Sequence, residues 1–326
     1  QITSTTTIMD YRFSGKSGLQ LPLVSLGLWH NFGSEDPFDV ARAMLLHAWD
    51  RGVTHFDIAN NYGPAPGTAE MTFGRVLRED LAAHRDEMII SSKAGYLMWD
   101  GPYGNGGSRK YLISSCDQSL KRTGLEYVDI FYSHRYDPNT PIEETMQALV
   151  DIVRAGKALY AGISNYPADK QQECYDYLRA AHVPCVIGQY KASILCPETL
   201  QENLPVARDN GSGFICFSPL AQGLLTNRYL NGIPAGSRAS KNVFLRPEQV
   251  TNDVVAMAQR LGAIAEQRGQ TLAQMAIAWL LAKDVTSVIV GASSVTQLED
   301  NIQAINNITF TEEELQTIQC AVSSHS

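Results

Sequence analysis

Eight short apolar runs, each followed by a helical pattern, constrain this chain more than any other feature. The runs fall at 23–27, 54–59, 87–93, 127–133, 158–163, 185–190, 213–217 and 286–290. Helical periodicities follow at 37–51, 68–80, 108–123, 141–156, 168–181, 198–210, 271–283 and 295–306. Strict alternation specifies a parallel sheet, because consecutive parallel strands need a crossover between them. The runs are continuously apolar, as strands buried on both faces are. Eight such units in 326 residues favour a closed (β/α)8 TIM barrel over an open doubly wound sheet.

Local signals agree. Thr140-Pro141-Ile142-Glu143 reads as a helix start, with proline at the first position and an acid in the first turn. Gly124, Gly156 and Gly211 read as helix stops. Three segments lie outside the eightfold pattern. Residues 8–20 predict a hairpin closing the barrel floor. Residues 222–266 predict a long insertion between the seventh strand and its helix, loop-like first and helical at 251–268. Residues 311–322 open on Thr311-Glu312-Glu313-Glu314, a capping-box signal, and predict an extra C-terminal helix. No linker or longer internal repeat appears, so one domain over 1–326 is expected.

A net charge of −8 argues against nucleic-acid or anionic-membrane binding. No apolar run reaches the roughly 20 residues a membrane helix needs. Gln1 to Ile8 is polar and Thr-rich, without the basic start and apolar centre of a signal peptide, so a cytoplasmic location is expected. Cys116, Cys174, Cys185, Cys196, Cys216 and Cys320 are scattered, with no Cys-x-x-Cys pair, so neither a disulfide framework nor a metal site is expected.

Four ionisable residues stand within or just beyond the second, third and fourth apolar runs: Asp57, Tyr62, Lys93 and His134. In a barrel of this type the site lies at the C-terminal ends of the strands, which places them at one mouth. A buried Asp57 carboxylate needs a partner, and Lys93 on the neighbouring strand supplies one. A cation about 4 Å from a phenol, at an effective dielectric of roughly 20, is worth about 4 kcal/mol. That corresponds to at most about three units of acidity against a free phenol near ~10, with desolvation opposing it. A Tyr62 that releases its proton near neutral pH is the expectation. His134 is the candidate donor that polarises a substrate carbonyl, and His30 is a looser candidate for the pocket wall. Such a set fits a reductase. His47, His55, His84, His182 and His325 have no companions and are assigned no role.

In these settings the residues resemble the aldo-keto reductase family. The match includes Phe56-Asp57-Ile58-Ala59-Asn60-Asn61-Tyr62-Gly63, Gly162-Ile163-Ser164-Asn165, Phe217-Ser218-Pro219-Leu220-Ala221-Gln222-Gly223 and Gly291-Ala292-Ser293. It runs from about Tyr11 to Ile308. Within the family the chain is most similar to the bacterial glyceraldehyde-3-phosphate/methylglyoxal reductase group. Its markers are Gly27-Leu28-Trp29-His30-Asn31-Phe32-Gly33, Gly101-Pro102-Tyr103-Gly104 and Ser108-Arg109-Lys110-Tyr111. Potassium-channel beta subunits are similar relatives.

The resemblance implies NADP(H) bound without a Gly-x-Gly-x-x-Gly fingerprint. It assigns the nicotinamide carboxamide to Ser164, Asn165 and Gln189, ring stacking to Phe217, and the neighbourhood of the ribose to Trp29 and Asp57. The pyrophosphate falls to Ser218, Leu220, Gln222 and Arg228. The adenosine and its 2′-phosphate fall to Arg238, Gly291, Ser293, Gln297 and Asn301. It implies reduction of small aldehydes or ketones, with Tyr62 as proton donor, and a homo-oligomer (tetramer or octamer). The alternative is a cofactor-sensing binding protein like the channel beta subunits, which carry asparagine where His134 stands.

The chain departs from the pattern in three places. Asn227-Arg228-Tyr229 replaces Gly-Lys-Tyr, and Tyr190-Lys191-Ala192-Ser193 replaces Pro-Ser-Tyr-Asn. Gln297 stands where many members carry arginine. For the substrate wall, Trp29, Tyr62, Tyr96, Trp99 and Tyr103 are candidates, with Arg109 or Arg135 for a substrate phosphate.

Overall fold

The computed structural model describes residues 8–229, 248 and 250–323. Its centre is a closed barrel of eight parallel strands. In chain order they are β3 (Val24–Gly27), β4 (His55–Asp57), β5 (Ile89–Ala94), β6 (Val128–Ser133), β7 (Ala158–Ser164), β8 (Cys185–Lys191), β9 (Gly213–Phe217) and β10 (Ser287–Val290). Each pairs with the next, and β10 closes on β3 through Val288↔Val24 and Val290↔Leu26. Every expected strand is present. β4 is shorter than expected, yet the N–H groups of Ile58 and Asn60 still bond the carbonyls of Ser91 and Lys93. The chain therefore stays alongside β5 up to the loop that carries Tyr62.

Helices α1 (Phe38–Asp50), α2 (Thr68–Val76), α3 (Arg109–Thr123), α4 (Ile142–Arg154), α5 (Ala168–Ala180) and α6 (Glu198–Asp209) separate successive strands. Beyond β9 come α7 (Asn252–Gln267), α8 (Leu272–Leu281), α9 (Val295–Ile302) and α10 (Glu312–Ser323). Their boundaries follow local chemistry. The Ser108 hydroxyl accepts from the Tyr111 N–H at the start of α3, and Gly124 ends that helix at φ 72°. Thr271 and Gln274 form a reciprocal capping box before α8. Thr311 and Glu314 do the same before α10, as expected from their spacing. Two helical readings need adjustment. Pro141 sits at the N-cap of α4, one position outside the first turn. The 68–80 pattern stays α-helical only to Val76, then widens into a π turn over Leu77–Leu81. That turn buries both Leu77 and Leu81, four positions apart.

β1 (Tyr11–Phe13) and β2 (Gln20–Pro22) form the antiparallel hairpin across the N-terminal end of the barrel. The Ser14 hydroxyl donates to the Val186 carbonyl at 2.7 Å. The Arg12 guanidinium donates to the carbonyls of Leu281 and Val285. Leu19 and Leu21 cap an apolar cluster with Ile130, Tyr132, Ile187, Ile215 and Ile289. The floor is thereby sealed, and access to the interior is from the other end.

Inward and outward residues alternate along each strand, and register keeps inward residues level across neighbours. Gly27 pairs with Asp57, Asp57 with Ser91, Lys93 with Tyr132, Tyr132 with Gly162, and Ser164 with Gln189. Gly162 is required there: a Cβ at that position would sit 2.7 Å from the Tyr132 ring. No described helix is long and apolar enough to cross a membrane.

Candidate active site

Lys93, next to last in β5, is wholly buried, and Asp57 is buried beside it, 0% and 2% exposed. The Lys93 ammonium donates to Asp57 Oδ2 at 2.7 Å, to the Ile58 carbonyl at 2.7 Å and to the Tyr62 hydroxyl at 3.1 Å. An ammonium has three protons and no lone pair. All three are therefore spent, and the Tyr62 oxygen can only accept from Lys93. The proton of Tyr62 remains to be donated elsewhere. Asp57 Oδ1 accepts from the Ser91 hydroxyl and from Gln189 Nε2, both at 2.9 Å. The carboxylate is thus held by three donors from two other strands.

His134 follows β6 directly, its backbone N–H bonded to the Ala94 carbonyl at 2.9 Å. Its ring meets the Tyr62 ring edge-on at 6.1 Å and the Tyr96 ring at 4.6 Å. Nδ1 is buried without a protein partner. Burial, with Lys93 and Arg135 nearby, pushes the imidazole well below its ordinary value, so it is neutral at physiological pH. A neutral imidazole carries one N–H donor, which suits a carbonyl oxygen. The four residues picked out in the sequence thus converge at the C-terminal mouth.

The expected acidity of Tyr62 is not what this environment produces. Burial raises the phenol well above 10, and Asp57, Tyr96 and Tyr132 add to the effect. Lys93, itself lowered by burial, does not overcome it. Desolvation opposes every anion that forms in so dry a site, and the Asp57 carboxylate cancels much of the lysine's field. The consequence is a phenol that stays protonated over the whole working pH range. It is still a competent acid towards an alkoxide, which is a stronger base than a phenolate.

The residues assigned to the nicotinamide end come together. Ser164 and Gln189 are register partners, and the Ser164 hydroxyl donates to the Gln189 carbonyl at 2.8 Å. Asn165, at φ 57°, donates through Nδ2 to the His134 carbonyl. Phe217 ends β9, and Trp29 stacks on Tyr62 at 6.4 Å and on His30 at 4.5 Å. Of the residues assigned to the rest of the cofactor, Leu220, Gln297 and Asn301 line a cavity of about 140 Å³ with Thr226, Asn227, Thr271, Ala273 and Asp300. Ser293 donates through both its N–H and hydroxyl to Gln297 Oε1, and Asn301 donates to the Gly291 carbonyl. Ser218 and Gln222 lie in the turned loop after β9, at φ 55° and 61°. Arg228 is exposed at its far end. The cavity offers neutral donors and acceptors from Thr226, Asn227, Thr271, Gln297 and Asn301 beside one acid, Asp300, a set that suits the hydroxyls and ring nitrogens of a nucleoside. Arg238 lies outside the described residues. A larger cleft of about 350 Å³, lined by Tyr136, Lys170 and Glu173 among others, contains no residue of this site.

The candidate substrate wall divides. Tyr96 packs on His134, whereas Trp99 packs edge-on against Tyr111 and Tyr103 is exposed beside Lys110. Arg109 does not serve the mouth: its guanidinium pairs with Asp151 on α4, outside the barrel. Arg135 stands next to His134, donating to the carbonyl of Gly95 and to Asn105 Oδ1, with its guanidinium 5.5 Å from the Tyr96 ring centre.

Three features escaped the sequence reading. Asp300 lines the 140 Å³ cavity between two assigned neighbours, Gln297 and Asn301. Glu70, fully buried, pairs with Arg122 and accepts from the Ser92 hydroxyl, and its signal was helical spacing, three and seven residues before the buried Phe73 and Leu77. His55, assigned nothing, is fully buried and bonds Ser25 and Ser91. Its signal was period two: His55 precedes Asp57 by two residues, as Ser91 precedes Lys93.

Among known proteins, the chain matches the family model described as Aldo/keto reductase family over residues 23–322. It is 56% identical over 316 residues to the L-glyceraldehyde 3-phosphate reductase of Escherichia coli (strain K12), covering 95% of this chain and 91% of that protein. It is 36% identical over 308 residues to a probable voltage-gated potassium channel subunit beta of Arabidopsis thaliana, covering 92% of each.

Proposed function

The chain belongs to the aldo/keto reductase family, and from that premise we propose that it reduces small aldehydes to alcohols with NADPH, Tyr62 supplying the proton. The substrate class is that of glyceraldehyde 3-phosphate and methylglyoxal, in keeping with the activity named for the E. coli relative. One observation carries the proton assignment. Every Lys93 proton is committed, so the Tyr62–Lys93 contact runs from nitrogen to oxygen and the phenolic proton is left for a third party.

When bound, the nicotinamide supplies the hydride that attacks the carbonyl carbon. Ser164, Asn165 and Gln189 would hold its carboxamide, with Phe217 against the ring and Trp29 and Asp57 near its ribose. Ser218, Leu220, Gln222 and Arg228 would hold the pyrophosphate, and Gly291, Ser293, Gln297 and Asn301 the adenosine end, joined by Arg238. His134 donates to the carbonyl oxygen and orients it. As negative charge grows on that oxygen, Tyr62 transfers its proton. The phenolate left behind faces the Lys93 ammonium, which stabilises it in a site of low dielectric. Asp57 keeps that ammonium charged and in place. Tyr96 and Trp29 flank the mouth and exclude water.

NADPH and NADH oxidation followed spectroscopically with a carbonyl panel is the test, with glyceraldehyde 3-phosphate and methylglyoxal in it. Turnover with NADPH is expected. NADPH binding without oxidation by any carbonyl would replace this reading with that of a cofactor sensor.

A further inference from the structure

The interior of the barrel below Lys93 holds a continuous line of hydrogen bonds that the mechanism above does not use. Ser287 Oγ lies 2.7 Å from Ser25 Oγ, and Ser25 Oγ lies 2.8 Å from His55 Nδ1. His55 Nε2 lies 2.9 Å from Ser91 Oγ, which lies 2.9 Å from Asp57 Oδ1. Ser25, His55, Ser91 and Ser287 are each wholly buried.

The direction of the line is forced from one end. A carboxylate only accepts, so the single proton of Ser91 goes to Asp57. Ser91 must then accept from His55, which fixes the proton on Nε2. Burial keeps the ring neutral, so Nδ1 is left as an acceptor and Ser25 donates to it. Ser25 in turn accepts from Ser287, whose Oγ lies nearer to Ser25 Oγ, at 2.7 Å, than to the Leu23 carbonyl, at 3.3 Å. Every donor along the line points towards Asp57, and the dipoles add.

We propose that His55 is a positioning residue, a neutral Nε2–H imidazole whose one-way chain Ser287→Ser25→His55→Ser91 holds the Asp57 carboxylate in line with Lys93. His55 touches neither Tyr62 nor the mouth, and it acts through Ser91 alone. The charged groups that act on its ring are Asp57, which favours the imidazolium, and Lys93, which opposes it. Burial outweighs both and pushes the imidazole down to about 4, so the neutral form persists at working pH. The floor beneath the chain is closed by Leu19 and Leu21, which leaves it no exit to water. It is therefore a fixed dipole array and not a route for protons to leave.

The kinetic part of the test rests on the reductase reading, and the spectroscopic part does not. In ¹⁵N spectra of histidine-labelled full-length protein, His55 is expected as the Nε2–H tautomer with no titration between pH 5 and 8. A proton on Nδ1, or titration above about pH 6, overturns the proposal. His55→Phe keeps most of the ring volume and removes the chain. Its kcat is expected to fall about tenfold, with KM and the NADPH Kd changed by less than about twofold.

The alkaline limb of the kcat profile should move to lower pH. Lys93, already lowered by burial and supported by Asp57 and Glu70, loses a well-held counter-ion. The same downward movement should appear in the Lys93 ¹³Cε titration, which needs no turnover. Ser91→Ala cuts the chain at its last link with little change in volume, and serves where His55→Phe fails to fold. An unmoved Lys93 titration in both variants overturns the proposal. Absence of carbonyl reduction in the unaltered protein overturns the reductase reading alone.

Discussion

The two sides of the barrel interior are built from different materials. β3, β4, β5 and β10 contribute Ser25, His55, Asp57, Ser91, Lys93 and Ser287, joined into one hydrogen-bonded line. β6, β8 and β9 contribute Ile130, Tyr132, Ile187 and Ile215, with Ile289 at the seam. Both sides are equally buried. Apart from the Tyr132 hydroxyl, the apolar side needs no partners and gains about 1.5–3 kcal/mol for each large side chain removed from water. The polar side gains little, because each buried group must be matched to break even. A chain selected only to fold would have no reason to keep it. Its value lies in holding an ammonium in a dry place, at a fixed distance from one phenol.

If that division is right, damage on the polar side should appear in turnover, with or without a loss of stability, and damage on the apolar side in stability alone. The largest expected effect is that of Tyr62→Phe. Removing the proposed general acid should lower kcat about 10³–10⁴-fold, roughly 4–5.5 kcal/mol of barrier, while NADPH binding and the thermal midpoint change little. Steady-state kinetics beside a fluorescence titration of NADPH measures both. A variant retaining a tenth of the activity would move the proton donor elsewhere.

Lys93→Met comes next and tests the cost of the arrangement. It leaves the Asp57 carboxylate buried without its cation, a loss of about 3–5 kcal/mol. Urea denaturation should show that loss along with the loss of activity. Lys93→Met/Asp57→Leu should recover much of the stability and none of the turnover. Recovery of turnover would mean that the pair serves folding only.

Acid should expose the same side of the barrel. His55 stays neutral in the folded protein down to about pH 4, whereas an unfolded histidine takes up its proton near 6.5. Between those values the unfolded chain binds more protons, so stability rises with pH across that window and falls on acidification. The contribution is complete above about 6.5 and is lost by about 4, a span of roughly 3 kcal/mol. His134, also held well below its ordinary value, acts in the same direction. Thermal midpoints measured from pH 7 to pH 4 should fall, and His55→Phe should flatten the curve. A midpoint that is flat in the unaltered protein would contradict a buried neutral histidine.

The apolar side was the easier to read in advance. Continuous runs of Val, Ile and Phe announce buried strands, and each of the eight appeared where the pattern put it. Asp57, Lys93 and His134 were legible for the converse reason, as charges ending runs that have no use for them. His55 and Ser91 were not, although they stand two residues before Asp57 and Lys93 on the same face. A histidine or serine within a strand is common and carries no signal until register sets it level with its neighbours. Register is a property of paired strands, and single-strand periodicity does not contain it. The acidity of Tyr62 failed for a related reason. The lysine's charge was visible in the sequence, whereas the degree of desolvation and the compensating Asp57 field depend on packing. Arg109 shows the same limit on the outside. Sequence alone offered it for a substrate phosphate, and its partner turned out to be Asp151 on a neighbouring helix.

The smallest expected effect carries the comparison's other half. Ile215 lies wholly buried in the apolar cluster, and its register partners are Gln189 and Ser287, one from the polar line itself and one bonded to Asp57. Ile215→Val removes one methylene-sized group, costing about 0.5–1.5 kcal/mol of stability. If the interior is divided as described, kcat should stay within about twofold of the unaltered protein, because no hydrogen bond to Asp57 passes through an isoleucine. If kcat falls tenfold while the thermal midpoint drops by only a few degrees, the apolar wall is itself setting the position of Gln189 and Asp57. The two sides would then be one mechanical unit, and packing density would join hydrogen-bond direction as a determinant of how the lysine is held.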